Sequence, residues 1–210
     1  QAASEFAPIA ASLGVISILY GAKMAFAQTD FKRLVAYSSI SHMGFVMLAL
    51  FSFNTIAYQG AIITLVAHGL SSAALFSMAG MIYSRLHTRD LNELGGLWTS
   101  APRMGGFTLV FAAAAFGLPG LANFVGEFLS LVGAYQVFPV TVIVAALGLI
   151  GSAIYGMVLF QRCFQGSVLK LIIDLSAREL VISGSLFTLL IIFGLYPNLL
   201  LSYFIQSGAN

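Results

Sequence analysis

The sequence predicts an all-α, polytopic transmembrane helix bundle, and three observations lead to this fold class. Of the 210 residues, 60% are hydrophobic and only 8% are charged, and the mean hydropathy is +0.98. Soluble domains carry about 25% charged residues, so most of this surface must face lipid. Long apolar runs recur along the chain, and the basic residues cluster near every second junction between them.

Six apolar runs divide the chain into predicted membrane-spanning segments, since a spanning helix needs about 20 mostly apolar residues. We expect one membrane domain over residues 1–210. Three segments have plausible N-terminal caps: Thr29 or Asp30, Asn54 or Thr55, and Ser176 with Glu179 at the spacing of a capping box. The segments lie at roughly 7–27, 31–52, 55–84, 104–136, 138–164 and 177–204.

The basic residues predict the orientation of the bundle. If the six segments alternate in direction, every Lys and Arg falls on one side, and the loops near 52–57 and 136–139 carry none. Cytoplasmic loops are enriched in Lys and Arg, so this side is predicted to be cytoplasmic. Tyr58, Tyr135 and Tyr196 are expected near the outer interface. The basic residues are Lys23, Lys32, Arg33, Arg85, Arg89, Arg103, Arg162, Lys170 and Arg178.

Three ionisable residues are predicted near the middle of the membrane. His42 and Glu127 each lie about ten residues from an end of their segment, which is roughly 15 Å at 1.5 Å per residue, and His68 lies at a similar depth. Ionisable groups in membrane helices usually face the bundle interior and mark ion pathways or proton relays. Histidine suits proton transfer because its ordinary pKa of about 6.5 is close to physiological pH.

Hydroxyl residues accompany both histidines on the same helical face, because residues three, four, seven or eight apart share a face. Such stripes can line a hydrated channel beside an imidazole. Serine and threonine are also common at tight membrane helix contacts, and a lone membrane histidine can be a structural hydrogen-bond donor. The predicted lining residues are Ser38 and Ser41 beside His42, and Thr64, Ser71 and Ser72 beside His68.

The fourth segment, 104–136, is predicted to be broken. A straight helix of about 33 residues would be near 50 Å long, whereas the hydrocarbon core is about 30 Å thick. Its middle holds Gly117, Pro119 and Gly120, and proline removes a backbone donor and clashes with the preceding turn. We therefore expect half-helices near 104–116 and 121–136. The break would give water access to Glu127, the predicted proton site.

Composition excludes several other functions. A net charge of +2 argues against nucleic-acid binding, which needs clustered cations. Cys163 is alone, so there is no disulfide framework and no cysteine cluster for a metal or an iron–sulfur centre. His42 and His68 lie on separate segments and lack the paired spacing of a metal site. The chain is therefore predicted to bind no metal and no cofactor.

Four stretches of the sequence resemble the subunit M family of bacterial NADH–quinone oxidoreductase, the equivalent of subunit 4 in mitochondrial complex I. They are "TDFKRLVAYSSISHMGFV", "AHGLSSAALF", "HTRDLNELGGL" and "GLPGLANFVGEFL", and they occur in family order. The resemblance implies a fourteen-helix antiporter-like subunit of which this chain is helices 9 to 14, with 104–136 as a discontinuous helix. It implies that His42 and His68 are relay residues and that Glu127 is the acid at the end of the proton channel. The related antiporter-like subunits typically carry lysine at the position of Glu127.

The resemblance also implies a function and a setting. The expected function is proton translocation in a translocase that couples quinone reduction to pumping, with no redox chemistry in this chain. Flavin, iron–sulfur clusters and quinone are expected in other subunits, and the expected partners are neighbouring antiporter-like subunits, lipid and protons. The expected location is the bacterial inner membrane, rather than the mitochondrial one. The alternatives are a cation/proton antiporter or membrane-bound hydrogenase subunit, and a non-transporting scaffold.

The implied relay is incomplete in this chain. The family's other relay groups, a glutamate and two lysines, lie on earlier helices that this sequence does not contain. We therefore expect a preceding inverted repeat to supply them.

Overall fold

The computed structural model describes residues 2–207, and in this part of the chain α-helices occupy most of each long apolar run. Five helices are long and apolar enough to cross a membrane, and this confirms the predicted class of polytopic helix bundle. They span Ala7–Phe26, Phe31–Phe51, Thr55–Leu86, Pro139–Phe164 and Ala177–Leu195. Residues 1 and 208–210 of the predicted domain lie outside the described residues. The helices are α1 Ala2–Glu5, α2 Ala7–Phe26, α3 Phe31–Phe51, α4 Thr55–Leu86, α5 Pro102–Ala115, α6 Ala122–Tyr135, α7 Pro139–Phe164, α8 Ala177–Leu195 and α9 Asn198–Ser207.

The helix starts follow the capping residues of the sequence. The Asp30 side chain accepts a hydrogen bond from the Arg33 N–H and caps α3, and Asn54 caps α4 in the same way. Ser176 and Glu179 form a complete capping box at the start of α8, which confirms that prediction. Each cap satisfies backbone donors that the first helical turn leaves without a partner.

The sixth apolar run is not the continuous helix that 177–204 predicts. Helix α8 ends at Leu195, and α9 begins at Asn198 after a break at Pro197. Tyr196 has left the helical region, with φ −125° and ψ 61°. The physical reason is that proline has no N–H to donate and disfavours the helical conformation in the residue before it.

The fourth run is divided at its glycines and proline. Helix α5 ends in a Schellman motif, in which the Gly117 N–H donates to the Ala114 carbonyl at 3.0 Å and the Leu118 N–H donates to the Ala113 carbonyl at 2.9 Å. Gly117 has φ +76° and Gly120 has φ +97°, values that favour glycine. Six residues, 116–121, therefore separate α5 from α6.

Small residues bring the central helices close together. Gly44 of α3 packs against the backbone of Gly14 on α2. Gly60 of α4 likewise lies against Ser130 of α6, and a Cβ at Gly60 would meet the Ser130 backbone nitrogen. Such contacts drive helix association in lipid, where the hydrophobic effect does not act between helices. They hold α3 against α2 and α6 against α4.

Ionic contacts organise the basic side of the bundle. Arg85, near the end of α4, donates to both carboxylate oxygens of Glu179 on α8 at 3.0 and 2.7 Å. The Asp174 carboxylate accepts from the backbone N–H groups of Arg103 and Met104, the first turn of α5. These contacts hold the starts of α5 and α8 against the end of α4, at the end of the bundle where the basic residues lie.

Candidate functional site

A histidine and a glutamate meet in the centre of the bundle. The His42 Nδ1 atom on α3 lies 2.7 Å from Glu127 Oε1 on α6. Both residues are 1% exposed. Although 85 positions separate them in the sequence, both their helices pack on α4, and this brings the two side chains together. A strong hydrogen bond of this length joins the two groups directly.

The second histidine lies beside this pair. His68 on α4 has its ring centroid 4.9 Å from that of His42, with the rings tilted by 36°. The Ser72 hydroxyl, one turn along α4, lies 3.0 Å from His68 Nε2. The structure thus brings His42, His68 and Glu127 into one buried cluster on three helices.

Tyr155 is a member of the cluster that sequence reasoning missed. Its hydroxyl, on α7, lies 3.1 Å from His42 Nε2, and the side chain is 1% exposed. Both ring nitrogens of His42 therefore have a partner. The sequence around Tyr155 is apolar, and only Ser152, three positions earlier, hints at a polar face on α7.

Asn123 also belongs to the cluster and was left out of the predicted site. Its Nδ2 donates to the Ser71 hydroxyl at 3.1 Å, which links the start of α6 to α4. Asn123, Glu127 and Ser130 are spaced i, i+4 and i+7, so they share one face of α6. The spacing rule that found the stripes on α3 and α4 would have found this one.

The polar face of α6 contains buried oxygen atoms that lack a hydrogen-bond partner within the described residues. Among the described residues, Asn123 Oδ1, Glu127 Oε2 and Ser130 Oγ have no hydrogen-bond partner. Buried polar groups are normally paired with protein or with ordered water, since leaving them bare is costly. These three atoms therefore mark a strip of α6 that suits bound water.

The predicted hydroxyl stripes divide into two groups in the structure. Ser72 contacts the His68 ring, whereas Ser71 donates to the His68 carbonyl at 3.3 Å and Ser38 donates to the Val35 carbonyl at 2.8 Å. Ser41 instead donates to the Ile18 carbonyl of α2 at 2.9 Å. Thr64 donates to the Gly60 carbonyl of its own helix at 2.8 Å. Backbone oxygens thus hold the hydroxyl protons of four lining residues, Ser38, Ser41, Thr64 and Ser71.

The helix break lies beside the carboxylate. A Cβ at Gly117 would come within 3.0 Å of Glu127 Oε2, so the end of α5 approaches the unpaired oxygen closely. Pro119 and Gly120 are exposed on the described part of the chain, whereas Gly117 is half-buried. The break therefore leads from the surface of the bundle toward Glu127.

The described residues contain no group of three or more His, Cys, Asp or Glu side chains that could hold a metal ion. Cys163 is buried in the core. The chemistry available at the cluster is therefore that of imidazole, carboxylate, phenol and hydroxyl groups, which bind and pass protons.

Comparison with known proteins gives a consistent set of relatives. Residues 1–154 match the family model described as "NADH:quinone oxidoreductase/Mrp antiporter, TM". NADH-quinone oxidoreductase subunit M of Pseudomonas aeruginosa is 50% identical over 200 residues, 94% of this chain and 39% of that protein. The Escherichia coli K12 subunit M is 47% identical over 203 residues, 94% of this chain and 40% of that protein.

Solved structures agree with these relatives. A chain of respiratory complex I from Thermus thermophilus with bound NADH superimposes with a TM-score of 0.91 at 35% identity, covering 94% of this chain and 42% of that chain. A chain of the Mrp complex from Dietzia superimposes with a TM-score of 0.87 at 18% identity, covering 94% of this chain and 46% of that chain, which shows a shared fold. The chain spans about two fifths of the length of the curated relatives it matches.

Proposed function

The chain belongs to the NADH:quinone oxidoreductase/Mrp antiporter transmembrane family, and on this premise we propose that it is part of a proton-translocating, antiporter-like subunit of a bacterial NADH–quinone oxidoreductase. The protein would reside in the bacterial inner membrane beside other antiporter-like subunits and lipid. It would carry no redox chemistry, and the flavin, iron–sulfur clusters and quinone would belong to other subunits. Identity of 47–50% to two subunit M proteins supports this assignment.

The contact between His42 and Glu127 carries the proposal. Two groups that each bind one proton lie 2.7 Å apart and are nearly inaccessible from outside. In such a setting a proton can move between imidazole and carboxylate without crossing bulk water. A purely structural pair has no need of a second imidazole beside it, whereas a relay does, and His68 supplies it.

The proposed route runs from His68 through His42 to Glu127. A proton leaving a His68 nitrogen reaches His42 across the short distance between the rings, and the Nδ1 proton of His42 then passes to Glu127 Oε1. The unpaired Glu127 Oε2, the break at Gly117 and the unpaired oxygens of Asn123 and Ser130 suit water on the far side of the carboxylate. Quinone reduction in other subunits would drive the cycle through changes in local electrostatics and hydration.

We propose six membrane crossings, with α5 and α6 together forming the fourth. Each has 14 residues and is about 21 Å long at 1.5 Å per residue, which is short of the roughly 30 Å hydrocarbon core. Placed end to end, α5 and α6 make one crossing, and the break between them lies inside the membrane. Non-helical backbone is tolerated there only against protein or a water-filled cavity, and the close approach of Gly117 to Glu127 fits such a cavity.

The test is Glu127→Gln in the full subunit within its complex, studied in membrane vesicles with a pH-sensitive dye and a substrate-turnover assay. Glutamine keeps the shape and hydrogen bonding of the side chain but binds no proton, so the complex is expected to assemble. Proton translocation is expected to be lost, and much of the coupled quinone-reductase activity is expected to be lost with it. Glu127→Asp is expected to retain part of the activity. Glu93→Gln is the matched control, because Glu93 lies in an exposed loop pair with Lys170.

Each other outcome points to a different function. Wild-type proton pumping per electron in Glu127→Gln would overturn the proposal and favour a structural carboxylate in a membrane scaffold. Co-purification without flavin and iron–sulfur subunits, together with sodium-dependent proton exchange, would favour a cation/proton antiporter, and a hydrogenase partner would favour a membrane-bound hydrogenase.

A further inference from the structure

We infer that Tyr155 is a positioning residue that determines which ring nitrogen of His42 carries a proton, and so couples the protonation of His42 to that of Glu127. The inference rests on the proposed function and adds a residue to it. Its basis is that His42 is held at both nitrogens, with Nδ1 2.7 Å from Glu127 Oε1 and Nε2 3.1 Å from the Tyr155 hydroxyl. All three residues are 1% exposed.

The hydrogen-bonding rules of the groups define the first state. A neutral imidazole has one N–H donor and one bare nitrogen acceptor, and an ionised carboxylate can only accept. When Glu127 is ionised and His42 is neutral, the proton of His42 must therefore lie on Nδ1. The bare Nε2 then accepts the O–H of Tyr155.

The second state reverses the bond to Tyr155. The Tyr155 O–H first turns away from Nε2, whose lone pair then binds a proton given up by His68, and His42 becomes an imidazolium. The Nδ1–H bond then breaks, its electron pair stays on Nδ1, and an O–H bond forms at Glu127 Oε1. His42 is neutral again, but its remaining proton is on Nε2, which now donates to the Tyr155 oxygen.

A hydroxyl can serve both states because it rotates about its C–O bond and is both donor and acceptor. In the second state the Tyr155 O–H needs a new acceptor, and we assign this role to Ser38, which lies one turn before His42 on the same face of α3. The Ser38 proton is already held by the Val35 carbonyl at 2.8 Å, which leaves lone pairs on Ser38 Oγ to accept. Between the two states the His42–Glu127 and His42–Tyr155 hydrogen bonds thus reverse together, and Ser38 accepts from Tyr155 only in the second.

The test is Tyr155→Phe in the full subunit within its complex, which removes the hydroxyl and keeps the ring. Assembly and substrate oxidation are expected to persist, while protons pumped per electron fall several-fold. The pH profile of pumping is expected to move by about one unit toward lower pH, because the imidazolium loses a charge-assisted acceptor and a tenfold change in proton binding is one pH unit. Ser38→Ala is expected to cause a smaller change in the same direction. Tyr20→Phe is the matched control, since Tyr20 is 52% exposed on α2.

The results of the two variants, taken together, separate this inference from the function on which it rests. If Glu127→Gln abolishes pumping while Tyr155→Phe keeps the wild-type proton yield and pH profile, the role of Tyr155 is overturned and the proposed function stands. If Glu127→Gln pumps normally, both fail. A lower yield in Tyr155→Phe with an unmoved pH profile would show a packing role, and would also overturn the inference.

Discussion

Gly117 lies directly against Glu127, so the end of one half-helix shapes the environment of the carboxylate on the other. A Cβ at Gly117 would lie 3.0 Å from Glu127 Oε2, closer than carbon and oxygen atoms normally approach. The residue also has φ +76°, where side chains other than glycine are strained. One position therefore serves both the turn that ends α5 and the space around the proposed proton site.

Gly117→Ala is expected to impair proton pumping more than Pro119→Ala. Alanine at 117 adds a strain of about 1 kcal/mol in the left-handed region and pushes on the Glu127 carboxylate. Pro119→Ala leaves both positive-φ glycines of the break in place, so the break persists. Proton yield per electron in vesicles, measured beside complex content, compares the two. Equal losses would show that the break, rather than the space beside Glu127, matters.

His68→Gln and His42→Gln are each expected to lower proton pumping by about tenfold or more while the complex still assembles. Glutamine is similar in size and forms hydrogen bonds but does not bind a proton near neutral pH, so one relay site is lost. The measurement is dye quenching in vesicles with native gels for assembly. His87→Asn is the control, because His87 caps α4 in the left-handed conformation, which asparagine tolerates. Loss of assembly in both site variants would favour a structural role.

Gly60→Ala is expected to destabilise the bundle, whereas Gly80→Ala on the same helix is expected to be neutral or stabilising. A Cβ at Gly60 would meet the Ser130 backbone, and a Cβ at Gly80 meets nothing within 4 Å. Overpacking costs about 1–3 kcal/mol, and alanine in place of glycine gains up to about 1 kcal/mol within a helix. Thermal unfolding of the purified complex measures both. A Gly60→Ala variant as stable as Gly80→Ala would contradict the close α4–α6 contact.

The orientation of the bundle predicts opposite results for two reporter fusions. A reporter fused within 88–95 is expected to read as cytoplasmic, because the basic residues lie at that end. A reporter fused within 53–56 is expected to read as external. Paired phosphatase and fluorescent-protein fusions measure both positions. If both fusions report the same side, the six-crossing arrangement is wrong.

Local features of the structure follow from the sequence where the cause is local. Asp30 and Asn54 cap their helices because short polar side chains reach the first backbone N–H groups of the helix that follows them. The division of 104–136 follows from Gly117, Pro119 and Gly120, which weaken the helix on their own. The break at Pro197 also has a local cause, the proline itself. The sequence prediction nevertheless extended the helix through it, because the residues on both sides are apolar.

The sequence by itself determined the class of fold, and it predicted a common depth in the membrane for the ionisable residues. Depth is readable because a bilayer has a fixed thickness and a helix has a fixed rise, so position along a segment converts to height. Which residues touch at that height was decided only by tertiary structure. The His42–Glu127 and His42–Tyr155 contacts join residues 85 and 113 positions apart, and depend on how α3, α6 and α7 rotate and pack. The glycine contacts at Gly44, Gly60 and neighbouring positions set those rotations, since close packing is specific to the pair of surfaces that meet. Tyr155 therefore became a site residue only when α7 packed beside His42.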